Sequence, residues 1–91
     1  MEYVFINKKN VASMDELYRR FSEGFHFPSY FGSNLDALYD CLTEGTDKRI
    51  VVVSNKAYLE KTLGQDFSRV CRVLADAAKE SPALKVYNIS I

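Results

Sequence analysis

Four consecutive β-branched residues, Ile50-Val51-Val52-Val53, constrain this chain more than any other stretch. Val and Ile lose side-chain freedom in a helix and pack well on a pleated surface, so the run predicts a strand. It has no polar alternation, which predicts burial on both faces. Tyr3 to Ile6 (YVFI) is a second run of this kind, also expected to be buried on both faces. Leu84 to Ile91 (LKVYNISI) sets Leu84, Val86, Asn88 and Ser90 against Lys85, Tyr87, Ile89 and Ile91, an imperfect alternation that predicts a third strand.

Helical spacing fills the intervals. After a polar turn over residues 7–10, Ser13 reads as an N-cap with Glu16 at the capping-box position. Met14, Leu17, Tyr18 and Phe21 follow as an i, i+3, i+4, i+7 stripe, and Gly24 reads as the stop. Asn55 is placed to cap a short helix to about Leu63, with Tyr58, Leu59 and Leu63 as its apolar side; Gly64 breaks it. Asp66 opens a longer helix through Phe67, Val70, Cys71, Leu74, Ala77 and Ala78 that stops before Pro82. The element order is therefore β-α-α-β-α-α-β. Strands separated by helices pair in parallel through right-handed crossovers. The expected fold class is α/β, a small three-stranded parallel sheet packed with about four helices, and residues 1–91 make one domain.

The fourth helical segment lies within Phe27 to Leu42, FPSYFGSNLDALYDCL. An aromatic loop with Pro28 and Gly32 runs into a helix for which Ser33 is the expected N-cap and Asp36 the capping-box acid. Leu35, Leu38 and Leu42 share one side, with Cys41 at its margin, and Gly45 is the expected stop. Asp36, Asp40 and Glu44 fall at i, i+4 and i+8 on the other side, flanked by Tyr39 and Thr43. Like charges at this spacing repel by about 0.2–0.5 kcal/mol per pair. From Phe21 to Asp47 there are five acids and no Lys or Arg, a formal charge of −5. The rest of the chain holds 12 basic and seven acidic residues, a formal +5, so the neutral total conceals a polarised molecule. A stripe of acids without local counter-ions, interleaved with Tyr, suits the docking and steering of a cationic partner.

Several chemistries are not supported. Carboxylates on neighbouring turns of one exposed helix neither enclose a substrate nor separate their pKa values, so they make a poor acid–base pair. His26, the single histidine, cannot complete a zinc site, and no Cys-x-x-Cys, P-loop, Gly-x-Ser-x-Gly or dinucleotide fingerprint is present. No enzyme activity, catalytic residue, metal or cofactor is expected. Cys41 and Cys71 read as two buried thiols of a reducing compartment. Basic residues are dispersed and the isoelectric point is near 6.6, so no direct nucleic-acid partner is expected. No apolar run reaches the roughly 20 residues of a membrane span, and MEYVFINKKN lacks signal-peptide character, so the expected location is cytoplasmic.

Pro28 to Leu42, PSYFGSNLDALYDCL, resembles the corresponding stretch of the barstar family, intracellular inhibitors of secreted barnase-type ribonucleases. The shared frame is Pro-x-Tyr-aromatic-Gly-x-Asn-Leu-Asp-Ala-Leu-aromatic-Asp-Cys-Leu-Thr. Beyond it the likeness is one of length and element order. The resemblance implies the same α/β fold, and a non-enzymatic inhibitor of a secreted guanyl-preferring ribonuclease; the free chain is expected to be a monomer. It assigns Asp40 to the phosphate position of the ribonuclease, Asp36 to a second charged anchor, and Tyr30 and Tyr39 to packing on the partner. Gly32, Asn34, Leu35 and Thr43 would make loop and backbone contacts, and Glu44 completes the acidic stripe. Tyr39 stands where the family's best-known member has Trp, Glu44 where it has Gly, and Gly45 where it has a second Trp. An acid near the start of the long helix also belongs to the family's interface, and Asp66 lies in that region. The alternative from another class is a non-inhibitory interaction module that offers the same acidic face to a different basic partner.

Overall fold

A computed structural model describes residues 1–7, 9–44 and 47–89. Its elements run β1 (Glu2–Ile6), α1 (Met14–Gly24), α2 (Leu35–Thr43), β2 (Arg49–Ser54), α3 (Lys56–Leu63), α4 (Gln65–Glu80) and β3 (Leu84–Ile89). The strands form one sheet in the order β1-β2-β3, with both pairings parallel. This is the α/β order read from the sequence. Gly45, the expected stop of α2, lies outside the described residues, as do Lys8 of the first turn and Ser90 and Ile91 of the last strand.

The expectation that the first two strands are buried on both faces is corrected. Val4, Ile6, Val51, Val53 and Leu84 are buried on the helix side, whereas Tyr3, Phe5, Tyr87 and Ile89 are exposed. The parallel register sets Phe5 beside Val52 and Val52 beside Tyr87, so the open face carries a row of apolar side chains. Continuous apolar composition imitates two-sided burial, but the helices cover only one side of this sheet.

The covered face meets the stripes of α1 and α4. Leu17, Tyr18 and Phe21 come from α1, and Phe67, Val70, Leu74 and Ala77 from α4. Leu38, Cys41 and Leu42 of α2 join them, as does Leu59 of α3. Tyr58, expected on the apolar side of α3, is half exposed. Ser13 caps α1 as its sequence predicts, its Oγ accepting from the Glu16 amide at 3.2 Å. Asn55 precedes α3 in a left-handed conformation and makes no side-chain cap bond. Gly24 is the last residue of α1, for a packing reason. A Cβ there would stand 2.5 Å from Val4 Cγ2 and 3.2 Å from the Tyr3 carbonyl oxygen, so glycine lets α1 close on β1. Asn7 and Asn10 tie the turn after β1: Asn7 Oδ1 accepts from the Lys9 and Asn10 amides, and Asn10 Nδ2 donates to the Phe5 carbonyl.

One-sided burial has a measurable consequence. Leu38→Ala, at a fully buried position, is expected to cost about 2–5 kcal/mol in urea unfolding. Phe5→Ser, at a position 55% exposed, should stay within about 1 kcal/mol of wild type.

Candidate functional site

The loop from Phe27 to Ser33 is held from beneath by rings. Phe31 packs on Phe27 at 5.0 Å between centroids and on Tyr18 of α1 at 6.1 Å. Phe25 continues the series to Phe27 and Phe21. With Phe27 buried and Phe31 half-buried, the neighbouring Tyr30 is turned outward and is 82% exposed.

The helix that follows starts one residue later than its sequence suggests. Ser33 takes a left-handed backbone (φ 50) rather than the extended one typical of a side-chain N-cap. Asn34 is extended (φ −141, ψ 171) and is the N-cap of α2. Its Oδ1 accepts from the Ala37 amide at 2.8 Å, and its Nδ2 donates back to the Gly32 carbonyl at 3.2 Å. A Cβ on Gly32 would stand 3.0 Å from that Nδ2, so Gly32 leaves room for the amide to fold back. Asp36 is thereby displaced from the capping-box position. It remains in the first turn, where the helix dipole favours a carboxylate.

Along α2 the two faces separate as read. Leu38, Cys41 and Leu42 are buried and Leu35 is partly so, while Asp36, Asp40 and Glu44 are exposed. None of these three carboxylates forms an ion pair with a described residue. Tyr39 is half-buried between the two faces, and Thr43 turns its hydroxyl inward to the carbonyls of Tyr39 (2.9 Å) and Asp40 (3.2 Å). The nine expected contact residues thus all fall on the loop, the helix start and the outer side of α2.

Sequence reasoning missed two acids. Partial burial pushes the Tyr39 phenol above its ordinary range, and the carboxylates of Glu80, Asp76 and Asp40 reinforce the shift. Asp76 and Glu80 belong to α4, which packs beside α2, so the acidic surface spans two helices around Tyr39. On the sequence they are an i, i+4 pair on the polar side of an amphipathic helix, with nothing to say which neighbour they face. Asp66, in the first turn of α4, pairs with Arg69 at 3.6 Å, and its charge adds to burial in raising the phenol of Tyr18, whose ring packs on Phe31 of the loop.

Both cysteines are free, Cys41 buried and Cys71 only half-buried. Burial and the carboxylates of Glu44 and Asp40 hold the Cys41 thiol above the usual range, against partial opposition from Arg49. Burial does the same for Cys71. His26 lies at the surface with Nε2 3.5 Å from Glu2 Oε2. Among the described residues no group of three or more His, Cys, Asp or Glu could hold a metal, and no helix is long and apolar enough to cross a membrane.

Residues 1–87 match the family described as Barstar (barnase inhibitor). The chain belongs to the barstar family. It is also similar to a Bacillus subtilis (strain 168) protein named "Putative ribonuclease inhibitor YrdF", with 31% identity over 81 residues, covering 88% of this chain and 89% of that one. The barstar match takes in the loop, α2 and α4, and so every residue of the acidic surface.

Two measurements check this local picture. Asn34→Ala should cost about 1 kcal/mol, with Asn34→Asp nearly neutral, in thermal or urea unfolding. The Cys41 proton is held more tightly in the folded chain, so its stabilising share is present below the ordinary thiol range and lost as pH rises through the folded value. Iodoacetamide at pH near 8 should therefore alkylate Cys41 slowly in the native protein, and at the rate of a free thiol in urea.

Proposed function

We propose that this barstar-family chain inhibits a secreted, guanyl-preferring ribonuclease of the barnase type by occluding its active site inside the producing cell. Family membership and the named relative support ribonuclease inhibition in general. The observation that carries the specific mechanism is the set of exposed carboxylates on α2, with no ion-pair partner among the described residues and with Tyr30 and Tyr39 beside them. A ribonuclease cleft is lined with cations arranged for phosphate, and carboxylates one helical turn apart present charge at a similar spacing. A basic partner would supply the counter-ions that this chain withholds.

In this reading Asp40 takes the phosphate position and bonds the partner's basic catalytic groups, with Asp36 as second anchor. Tyr30 and Tyr39 fill hollows of the partner, because Tyr brings large contact area at low entropic cost. Asp76 and Glu80 extend the field to the rim. Gly32, Asn34 and Leu35 shape the loop that enters the cleft, and Thr43 and Glu44 close the far end. Inhibition is steric and electrostatic, with no bond made or broken. The inhibitor is a cytoplasmic monomer until it meets its enzyme, and it binds the enzyme rather than nucleic acid.

Titrating barnase-type ribonuclease activity with the purified chain tests this reading. Stoichiometric loss of activity is expected, with Asp40→Ala weakening inhibition by more than about 2 kcal/mol, as for a hot-spot residue. Folded protein that inhibits none of several such nucleases would instead favour a module for another basic partner. Steering adds a second expectation: the association rate should fall about tenfold or more between low and high salt. A flat response would remove the electrostatic part of the mechanism.

A further inference from the structure

We propose that Arg49, at the start of β2, is the positioning residue of the inhibitory face: a single guanidinium that sets α2 against the loop before it. The proposal rests on the reading of α2 as the docking helix, but its geometry is independent of the partner.

The last turn of α2 contains no basic residue, and its cap, Glu44, is extended rather than left-handed (φ −81, ψ 145). No basic side chain of α2 itself offsets the negative end of its dipole. Arg49 supplies a cation from outside and adds donors for the terminal carbonyls. Its Nη1 donates to the Cys41 carbonyl at 2.9 Å and reaches the Glu44 carbonyl at 3.5 Å. Its Nε donates to Glu2 Oε1 of β1 at 3.3 Å, and its side chain is only 15% exposed. The guanidinium carbon also lies over the Phe25 ring at 5.3 Å from the centroid and over Phe27 at 5.8 Å. Phe27 in turn carries Phe31, next to Tyr30.

One side chain thus touches β1, the root of the aromatic loop and the end of the acidic helix. These are the parts that must hold a fixed relation for Tyr30 and Asp40 to engage a rigid cleft together. A planar fork with several donors can meet an acid, two carbonyls and two ring faces at once, whereas a Lys ammonium is a point charge on a flexible stem. The placement also meets an electrostatic need. Arg49 brings a positive charge to the end of α2 through backbone carbonyls, without forming an ion pair with Asp36, Asp40 or Glu44. Its reach is visible at Cys41, whose thiol it pulls down against the acids around it.

The test compares Arg49→Lys and Arg49→Met with wild type in binding kinetics against an inhibited ribonuclease. Leu63→Ala, a half-buried change in α3, a helix that supplies none of the expected contact residues, is the control for general destabilisation. Both Arg49 variants should leave the association rate within about twofold, because the exposed acids are untouched, and should raise the dissociation rate about tenfold or more, with Lys giving at most partial rescue. Dissociation at the wild-type rate in both variants would overturn the proposal. So would an equal rise in Leu63→Ala at a matched loss of melting temperature, since the role would then be stability alone.

Hydrogen exchange separates failure of this inference from failure of the inhibitor reading. If wild type inhibits no ribonuclease, the docking reading falls, but the last-turn amides of α2, including that of Glu44, should still exchange selectively faster in Arg49→Lys. Exchange that is unchanged, or raised uniformly over the chain, would overturn the positioning role.

Discussion

Three parallel strands cannot be joined by tight turns, and this constraint shapes the molecule. Each crossover must travel the length of the sheet and return, and here each carries two helices, which consumes most of the chain. All four helices contribute to a core against one face, where Val51 and Val53 of the central strand are almost fully buried. The other face keeps Tyr3, Phe5 and Tyr87 in contact with solvent. Among the described residues all four helices are spent on the covered face.

That economy places α2 at the periphery, and its position explains its composition. A helix inside a layered core needs apolar residues most of the way around, whereas α2 buries Leu38, Cys41 and Leu42 and leaves a full side free. The free side carries carboxylates with no ion-pair partners among the described residues, and α4 adds Asp76 and Glu80 beside Tyr39. Such a surface costs stability in the isolated protein through self-repulsion. Under the proposed inhibitory role, a cationic partner would recover that cost.

Much of this was legible in the residues, and the exceptions have identifiable causes. Ser33 and Asn34 are both good N-caps, so propensity does not choose between them. The choice falls to Asn34, because its amide can also reach back to the Gly32 carbonyl while Ser33 turns through a left-handed conformation. The runs YVFI and IVVV identify strands correctly but say nothing of how many layers cover them. Gly24 marks the end of α1 from sequence alone, yet its reason, the approach of Val4, belongs to another element. Arg49 reads as an ordinary charge before a strand, and its partners are separated from it by between five and 47 residues.

By itself the sequence determined the element order, the stripes that become the core, the acidic side of α2 and the barstar-family frame of Pro28 to Leu42. These are local properties, carried by period, capping chemistry and composition within windows of one element. Only the tertiary structure decided which sheet face stays open, which acids of α4 join those of α2, and what holds the end of α2 in place. Those outcomes depend on contacts between residues distant along the chain. Such contacts form only when layers pack, so no pattern within one segment can encode them.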